Sequence, residues 1–531
     1  MIRACSVFGL ILSLILAAPA QESFDVIIRG GKVIDGSGNP WFRADVGVRG
    51  DRVARIGDLS NSSAARVIEA RNYAVAPGFI DPHTHALSGI FDVPTADNAL
   101  LQGVTTLTEG NDGSSPFPIR ANLEKIASTR ISANWALYVG QGTLRRETVG
   151  LSNRAATPEE IAKMRTMVAQ AMEEGAFGLS TGLFYIPGNF TKTEEVIELA
   201  KVAARYHGIY ISHMRNEADG LLDSVRETIR IGEEAGLPVQ MTHHKVIGSK
   251  MWGKSADSLR FVDEARARGI DITMDQYPYT ASQTSLTALL PQSYQEGGQQ
   301  EIVKRLRDPA TRAKIKQGIV ANILYDRGGG DAKNVYIGVC SWDRSFEGKN
   351  LAEIARQRAL PPTPENAAEV AMDIIEKGGA RAIYHAMSEA DVERIMRHPM
   401  TAVGSDGGIS ILGQGVPHPR EYGTFARVLG RYVREKKTIP LEEAVRKMSN
   451  ATAQRLGIAD RGLLRAGFFA DIAVFDPERV TDNATFEKPH QYATGVEYVL
   501  VNGKIVVERG KHTGARPGRV LYGPGHQKRS Q

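Results

Sequence analysis

The pattern of apolar and polar positions divides the chain into two β-rich ends and a middle in which strands and helices alternate. At the N-terminal end, short β-rich runs separated by turn-forming residues cover residues 25–29, 44–48 and 52–56. Closely spaced strands of this kind predict a small β module rather than the start of a strand-helix array. A continuous apolar run over residues 73–80 then predicts one buried strand.

Between residues 85 and 405, short apolar runs that end in polar residues take turns with stretches of helical periodicity. The apolar runs cover residues 104–109, 135–139, 178–181, 209–213, 238–243, 272–277 and 400–405. The helical stretches cover residues 158–174, with Thr157 as the N-cap, and residues 193–207, 219–235 and 256–268. This alternation predicts a parallel sheet with right-handed crossovers. About eight such units predict a (β/α)8 TIM barrel, which keeps its functional residues at the C-terminal ends of its strands.

The C-terminal end returns to β structure over residues 470–475, 496–501 and 504–508, with Asn502-Gly503 as a hairpin turn. Neither terminal β segment is large enough to bury a core alone. We therefore predict an α/β fold with a small β-sandwich domain, built from residues 21–77 and 460–531, and a barrel domain of residues 78–459. Residues 286–350 are less regular and predict an insertion near the site. The segment from Arg516 onward is rich in Gly, Arg and Pro and is expected to fray.

The first 20 residues have the pattern of a secretory signal peptide. Arg3 precedes an apolar stretch at residues 7–16 that is too short for a permanent membrane helix, and Ala18-Pro19-Ala20 forms a small-x-small cleavage site. We predict that residues 1–20 are removed and that the protein is exported to the periplasm or secreted. An uncleaved anchor is the alternative, and no other segment is apolar enough to span a bilayer.

Composition narrows the choice of partners. The 531 residues are 42% hydrophobic and 24% charged, which is ordinary for a globular protein. The formal net charge of +5 is small for this length and no dense Lys/Arg run is present, so nucleic acid is not expected as a partner. Removal of the signal peptide would leave Cys340 as the single thiol, so no intrachain disulfide is expected.

Histidine and acidic residues follow several of the predicted barrel strands. On a strand, residues i and i+2 point to the same side, so His83 and His85 can face one point. Further residues of this kind at strand ends are Glu109, Asp112, His213, His243, His244 and Asp406. A lone histidine at a strand end is more often a hydrogen-bonded structural residue. Four separate strand ends that carry such residues predict a metal site.

The donor set indicates both the metal and its chemistry. Three or more imidazole nitrogens together with carboxylates favour zinc or a comparable transition metal over magnesium or calcium. An ion with an open coordination position lowers the pKa of a bound water. An adjacent carboxylate can orient that water and carry its proton to a leaving group. We therefore predict that the protein hydrolyses an amide or an ester.

Several sequence motifs resemble those of a known protein family. The stretch Pro77-Gly-Phe-Ile-Asp-Pro-His-Thr-His85 resembles the metal-dependent amidohydrolase superfamily. The wider set of motifs is similar to that of the N-acyl-D-amino-acid deacylases, or D-aminoacylases, and is spread from about residue 24 to residue 521. It includes Gly178-Leu-Ser-Thr-Gly-Leu-Phe-Tyr185, His213-Met-Arg-Asn-Glu217, Thr242-His-His-Lys245, Asp275-Gln-Tyr-Pro-Tyr279, Gly404-Ser-Asp-Gly407 and His418-Pro-Arg420. The resemblance implies hydrolysis of an N-acyl-D-amino acid to a carboxylate and a free D-amino acid.

The resemblance also implies roles for single residues. It makes His83 and His85 ligands of one metal ion and His213 and His243 ligands of a second ion. It makes Asp406 a ligand that also transfers the proton. One or two Zn²⁺ ions are expected, although another divalent transition metal is possible.

The bridging ligand departs from the family pattern. A cysteine bridges the two metal positions in the family, within Gly-Asn-Cys-Gly, whereas this chain has Gly110-Asn111-Asp112-Gly113. The bridge would therefore fall on Asp112, with Glu109 as the other candidate. Because a carboxylate is a harder ligand than a thiolate, we expect a more evenly filled pair of metal positions.

The resemblance assigns substrate binding to Lys245, Arg420, Tyr185 and one tyrosine of the pair Tyr277 and Tyr279, for which Tyr279 is our choice. A cation is needed for the free carboxylate of an N-acyl amino acid, and Arg offers it a bidentate fork. A surface salt bridge for Arg420 and core packing for Tyr185 are the alternatives. Gln141 stands where the family would have histidine, so the preferred substrate stays open.

Other functions also fit these patterns. The same metal site could open a cyclic amide, or cleave dipeptides that contain D- or isoaspartyl residues, and the lack of an obvious bridging lysine argues against the first. A non-catalytic binding protein on the same barrel is a third alternative. The acyl group, the preferred side chain, the selectivity for D over L substrates and the oligomeric state are not determined by these patterns.

Overall fold

The computed structural model describes residues 22–527. The predicted signal peptide, residues 1–20, lies outside this range. Within it, no helix combines the length and the apolar character that crossing a membrane requires.

The chain begins with a β domain that is completed by its other end. Strand β1 pairs with β2 in antiparallel register and with β4 and β5 in parallel register, and β2 continues to β3. A hydrophobic cluster that includes Ile28, Val46 and Ile472 forms the core of this domain. The strands are β1 (Ser23–Val33), β2 (Phe42–Arg49), β3 (Arg52–Gly57), β4 (Ser63–Glu69) and β5 (Ala74–Pro77).

The apolar run at residues 73–80 forms two strands in two sheets instead of the single predicted strand. β5 belongs to the β domain, whereas the next strand, β6 (Phe79–Asp81), is the first barrel strand. Gly78 lies between them, and a side chain there would collide with Thr105. The chain therefore passes from one domain to the other at a residue that must lack a side chain.

The barrel follows with alternating strands and helices. All strand pairs of the barrel are parallel. Its next strands are β7 (Thr84–His85), β8 (Val104–Glu109), β9 (Asn134–Leu137), β10 (Val139–Gly140), β11 (Gly178–Gly182), β12 (Ile209–His213), β13 (Val239–Met241) and β14 (Ile272–Gln276). The helices among them are α1 (Asp97–Leu100), α2 (Ile119–Thr129), α3 (Gln141–Thr148), α4 (Pro158–Glu174), α5 (Thr193–Arg205), α6 (Leu221–Ala235) and α7 (Ser255–Ala267).

An inserted α/β unit separates the seventh barrel strand from the eighth. Its three strands form an antiparallel sheet in which Gln283 lies opposite Ile383, and Ser285 lies opposite Arg381. The unit has its own hydrophobic core, so it is more regular than the sequence predicted. Its elements are β15 (Ser282–Ser285), α8 (Gln299–Arg307), α9 (Pro309–Tyr325), β16 (Val335–Val339), α10 (Leu351–Gln357), α11 (Pro364–Glu376) and β17 (Arg381–Tyr384).

The eighth strand closes the ring. After α12 (Glu389–Arg397), the chain forms β18 (Thr401–Val403), which pairs with β14, and β19 (Gly407–Gly408), which pairs with β7. The predicted (β/α)8 barrel is thereby confirmed. The helical segments that follow are α13 (Arg420–Arg427), a π-helix (Val428–Glu435), α14 (Leu441–Met448) and α15 (Asn450–Leu456).

The last strands complete the β domain. Strand β20 pairs with β5, which joins both ends of the chain in one nine-stranded sheet and confirms the predicted small β domain. The predicted limits at residues 77, 78, 459 and 460 stay predictions. The strands are β20 (Ile472–Phe475), β21 (Val496–Val501), β22 (Lys504–Glu508) and β23 (Lys511–His512).

The segment from Arg516 to residue 527 does not fray as expected. Its backbone is hydrogen-bonded to the barrel: Gly518 N donates to Ile131 O at 2.9 Å, and Leu521 N donates to Trp135 O at 2.7 Å. Composition suggested mobility, but the bonds that fix this segment are made to residues distant in sequence.

Candidate metal centre and active site

Two groups of potential metal ligands lie at the C-terminal ends of the barrel strands and share one residue. The first group is His83, His85, Asp112 and Asp406, and the second is Asp112, His213 and His243. In each group, one ligand atom from every residue lies within 4.8 Å of the others. Side chains as far apart in the sequence as His83 and Asp406 are thus brought to one place, as the barrel prediction required.

In the first group, the two histidines face both carboxylates. His85 Nε2 lies 3.1 Å from Asp406 Oδ1 and 3.4 Å from Asp112 Oδ2. His83 Nε2 lies 3.5 Å from Asp112 Oδ1 and 3.6 Å from Asp406 Oδ1. The four side chains therefore point their donor atoms at a common volume.

In the second group, Asp112 faces two further imidazoles. Its Oδ2 lies 3.6 Å from His213 Nδ1, and its Oδ1 lies 3.5 Å from His243 Nε2. The two imidazole nitrogens lie 2.7 Å apart. Asp112 is therefore the residue that links the groups, whereas Glu109 belongs to neither of them.

The backbone is strained where three of these side chains begin. Asp112, His243 and Asp406 have φ angles of 55°, 37° and 51°, in the left-handed region that residues other than glycine seldom adopt. Hydrogen bonds hold these conformations: Asp406 N donates to His83 O at 2.8 Å, and His243 N donates to Asp275 Oδ1 at 2.7 Å. Strained backbone conformations persist only where the surrounding structure enforces them, and they are common at functional sites.

Unsatisfied atoms in the cluster fit metal ligation. His83 Nε2 and Asp112 Oδ1 are buried and have no hydrogen-bond partner among the described residues. Buried polar atoms are normally paired, so donor atoms left free around one point need a ligand. Imidazole nitrogens with carboxylate oxygens form a donor set that suits zinc and similar ions.

The electrostatics of the cluster agree with this fit. Burial alone would lower the pKa of His85, but the carboxylates of Asp112 and Asp406 outweigh it and raise that pKa to about 10. Burial would raise the pKa of Asp112, but His83, His243 and His213 outweigh it and hold that pKa well below its usual range. The site therefore favours ionised carboxylates and attracts positive charge.

A buried network supports the second group from behind. Glu217 Oε1 lies 3.2 Å from His243 Nδ1, and Lys245 Nζ donates to the same carboxylate oxygen at 2.6 Å. Glu217 Oε2 lies 3.7 Å from His213 Nε2. A carboxylate behind an imidazole fixes its orientation and its tautomer, which is how outer partners tune metal ligands.

A cavity of about 710 Å³ opens over the cluster. His85, Asp112 and Asp406 line its floor, and Arg420 lies beside them. Arg420 Nη1 lies 2.7 Å from Asp406 Oδ2, and the arginine is almost fully buried. Burial would raise the pKa of Asp406, but Arg420 and His83 outweigh it and hold that pKa below its usual value. Asp406 is thus ionised and fixed in orientation.

The structure brings only some of the predicted substrate residues to this cavity. Arg420 and Tyr185 line it, and Tyr185 Oη accepts a hydrogen bond from Thr284 Oγ1 at 3.1 Å. Lys245 does not line it, because Glu217 and His243 Nδ1, at 2.6 Å and 2.7 Å, surround its ammonium group.

Tyr279 also lies outside the cavity. Its hydroxyl donates to Pro419 O at 3.4 Å, and its ring packs against His418. Tyr277 is the tyrosine nearer the cluster: its ring centroid lies 4.8 Å from Arg420 Cζ, and its buried hydroxyl has no hydrogen-bond partner within the described range. The choice of Tyr279 from the pair is therefore not supported by its position.

Two other residues singled out in the sequence serve the surrounding framework. His244 turns away from the cluster, with its Nε2 2.9 Å from Ser258 Oγ. Gln141 is buried behind the cavity wall and donates to Thr191 Oγ1 at 3.0 Å.

Sequence reasoning missed several polar residues around the site. Glu217 and Asp275 stand in the motifs His213–Glu217 and Asp275–Tyr279, but the sequence alone assigns them no role. Gln283 and Arg381 line the cavity from the inserted unit. Their positions depend on how the inserted unit packs against the barrel. The periodicity of apolar residues in the sequence does not indicate this packing.

Comparison with known proteins agrees with this geometry. The pattern of the amidohydrolase family matches residues 66–507. The chain is 38% identical to D-aminoacylase of Alcaligenes xylosoxydans xylosoxydans, over 94% of this chain and 98% of that relative.

Two solved structures have the same fold. A D-aminoacylase with a binuclear metal centre superimposes with a TM-score of 0.80 and 36% identity, over 94% of this chain and 100% of that one. The N-acyl-D-glutamate deacylase of Bordetella bronchiseptica, solved with zinc and a phosphonate mimic of the tetrahedral intermediate, superimposes with a TM-score of 0.81 and 35% identity, over the same shares. The chain therefore belongs to the amidohydrolase family, within its group of D-aminoacylases and related N-acyl-D-amino-acid deacylases.

Proposed function

We propose that the protein is a metal-dependent hydrolase that cleaves the amide bond of N-acyl-D-amino acids and releases a carboxylate and a free D-amino acid. The observation that carries the proposal is the pair of ligand groups joined through Asp112 at the floor of the cavity, with the Asp406–Arg420 ion pair beside them. The D-aminoacylase and D-glutamate deacylase relatives act on substrates of this class, which supports the choice of bond and of configuration.

The two ligand groups suit one or two zinc ions. His83 and His85 would hold one position, His213 and His243 the other, and the Asp112 carboxylate would reach both. When bound, such ions supply a Lewis acid that acidifies a water molecule and polarises the scissile carbonyl. The zinc of the Bordetella relative supports the choice of metal.

Asp406 is the residue proposed to move the proton. Its Oδ1 faces the histidines of the first group, and its Oδ2 is held by Arg420 at 2.7 Å. Held in this way, Oδ1 can accept a proton from the attacking water and pass it to the nitrogen of the departing amine. A C–O bond forms, the C–N bond breaks, and the amine leaves with the transferred proton.

Arg420 is proposed to bind the free carboxylate of the substrate. One of its guanidinium nitrogens contacts Asp406, while Nε is buried and has no hydrogen-bond partner in the part of the chain that the structure describes. A guanidinium has five N–H donors, so a second carboxylate can be bound beside the first. Tyr185 on the cavity wall is proposed to contact the substrate with its hydroxyl group. This arrangement sets the scissile amide next to Asp406.

A substrate panel tests the function. Zinc-loaded protein should hydrolyse N-acetyl-D-amino acids with a kcat/KM of about 10⁴ M⁻¹s⁻¹ or more, and their L enantiomers about 100-fold less well. Release of the free amino acid is the measurement. Chelation should abolish the activity, and added zinc should restore it.

The same panel separates the alternatives. Turnover of hydantoins or dihydroorotate without turnover of N-acyl-D-amino acids would favour a cyclic amide hydrolase. Turnover of D- or isoaspartyl dipeptides alone would favour a dipeptidase. Zinc-loaded protein that hydrolyses none of these compounds would contradict the proposal and favour a binding protein.

We also propose that the protein is exported, on the basis of the signal-peptide pattern at residues 1–20. To test this, the protein is expressed with its own N-terminus and recovered from outside the cytoplasm, and its molecular mass is measured. A mature chain that begins at residue 21 is the expected product. Full-length protein retained in the cytoplasm would contradict it.

A further inference from the structure

We propose that Arg381 and Gln283 form a second anion-binding subsite, and that the preferred substrate is an N-acyl-D-amino acid whose side chain ends in a carboxylate. This inference rests on the proposed function. It adds a selectivity that neither the metal ligands nor Asp406 provides.

Gln283 is the centre of the subsite. It lies on β15 of the inserted unit and is 7% exposed. Its Oε1 accepts a hydrogen bond from Arg381 at 3.4 Å, whereas its Nε2 is buried and has no hydrogen-bond partner among residues 22–527. A buried amide N–H₂ without an acceptor is costly. Because Gln283 lines the cavity, an acceptor atom of a ligand bound there can satisfy this group.

The same residue connects the subsite to Arg420. Arg420 Nη2 lies 3.5 Å from the main-chain oxygen of Gln283, and Arg381 contacts the side chain of the same residue. In the folded protein, Gln283 therefore lies between the two guanidinium groups and contacts both of them. Acidic amino acids carry their two carboxylates a short carbon chain apart, which suits two neighbouring anion receptors: Arg420 for the α-carboxylate and Arg381 with Gln283 for the side chain.

The charge balance of the cavity leaves these receptors free. Among residues 22–527, neither Arg381 nor Arg146, which also lines the cavity, has an acidic side chain within 4.0 Å. The carboxylates on the cavity floor are already engaged: Glu109 accepts hydrogen bonds from Leu87 N and Gly110 N at 2.8 Å and 2.9 Å. The part of the cavity wall that Arg146 and Arg381 form therefore carries positive charge that no adjacent carboxylate of the described residues balances, and this charge attracts an anionic group.

There is also room for such a group. A second cavity of about 460 Å³ adjoins the first, and Ser88, Gln283 and Arg381 line both. The subsite therefore lies at the junction of the two cavities and not at a closed wall. A side chain directed away from the scissile amide can extend toward it.

The test compares two substrates of nearly equal shape, N-acetyl-D-glutamate and N-acetyl-D-glutamine. The wild-type zinc enzyme should show a kcat/KM at least about tenfold higher for the glutamate derivative, as expected for hydrogen bonds to a charged group. Arg381→Met should lower kcat/KM for the glutamate derivative by at least about tenfold, mainly through KM, and bring the ratio close to one. Arg381 is exposed, so the variant is expected to fold.

Arg344→Met is the matched control. Arg344 lines the adjoining cavity and is exposed, but Glu347 lies 3.4 Å away and balances its charge. This variant should keep the wild-type preference for glutamate, which shows that the effect belongs to the subsite and not to positive charge in general.

Two outcomes would overturn the inference without affecting the proposed function. One is hydrolysis of the glutamine derivative as efficient as that of the glutamate derivative in the wild type. The other is an unchanged ratio in Arg381→Met. If zinc-loaded protein hydrolyses no N-acyl-D-amino acid at all, the proposed function fails and this inference fails with it.

Discussion

Replacement of Asp406 by asparagine should lower kcat on N-acyl-D-amino acids by about 10³-fold or more, because general acid–base catalysis alone contributes about 10²–10⁴-fold. Asparagine has nearly the same shape but cannot accept and return a proton. The change also removes the negative charge that Arg420 and the two histidines of the first group face. Steady-state kinetics with saturating zinc, together with the melting temperature, measure the effect.

Asp482→Asn is a close control for the same chemical change. Both aspartates are 9% exposed, and Asp482 is paired with Arg427 at 2.8 Å much as Asp406 is paired with Arg420 at 2.7 Å. Asp482 does not line the cavity, so its variant should keep kcat within about threefold while losing an Asp–Arg ion pair of similar length. Near-normal turnover in Asp406→Asn would exclude Asp406 as the group that transfers the proton.

The second large effect is expected from Asp112→Ala, which should weaken metal binding at both positions. Asp112 belongs to both ligand groups, and even residues behind metal ligands contribute 10–100-fold to affinity. The affinity loss should therefore exceed about 100-fold. Metal content of protein purified without chelator, measured per chain, should fall at both positions. His213→Ala, by contrast, should remove metal from the second position alone.

Two companion variants sharpen this experiment. Asp112→Asn retains a residue that tolerates the left-handed backbone at φ 55°, so it separates the loss of the ligand from backbone strain. Glu109→Gln changes a buried carboxyl group of the same cavity that belongs to neither ligand group, and its metal content should equal that of the wild type. Undiminished metal in Asp112→Ala, or lost metal in Glu109→Gln, would favour Glu109 as the bridging ligand.

The barrel could be predicted from the sequence because its signals are local. Helix α4 begins after Thr157 as predicted, since Thr157 and Glu160 form a capping box, and it ends at Gly175 in the left-handed conformation. The histidines and aspartates of the ligand groups could be found for a related reason. Parallel barrel strands all end at one face, so the position of a residue in its own strand is enough to place it near the others.

Predictions failed where position depends on contacts between distant segments. The apolar run at residues 73–80 is buried throughout, but hydrophobicity does not indicate that it belongs to two sheets. Tyr277 and Tyr279 could not be ranked by strand alternation, because β14 ends at Gln276, before either of them. Gln283 and Arg381 reach the cavity only because the inserted unit folds over the barrel mouth.

The separate core of the inserted unit has a consequence for how this enzyme could diversify. The groups proposed to perform the chemistry stand on the barrel, while part of the wall that meets the substrate comes from a segment with its own folding determinants. Mutations in that segment can alter which compounds are accepted while the reaction itself stays intact. Selection for new substrates would then act on the inserted unit, where mutations leave the hydrolytic residues of the barrel unchanged.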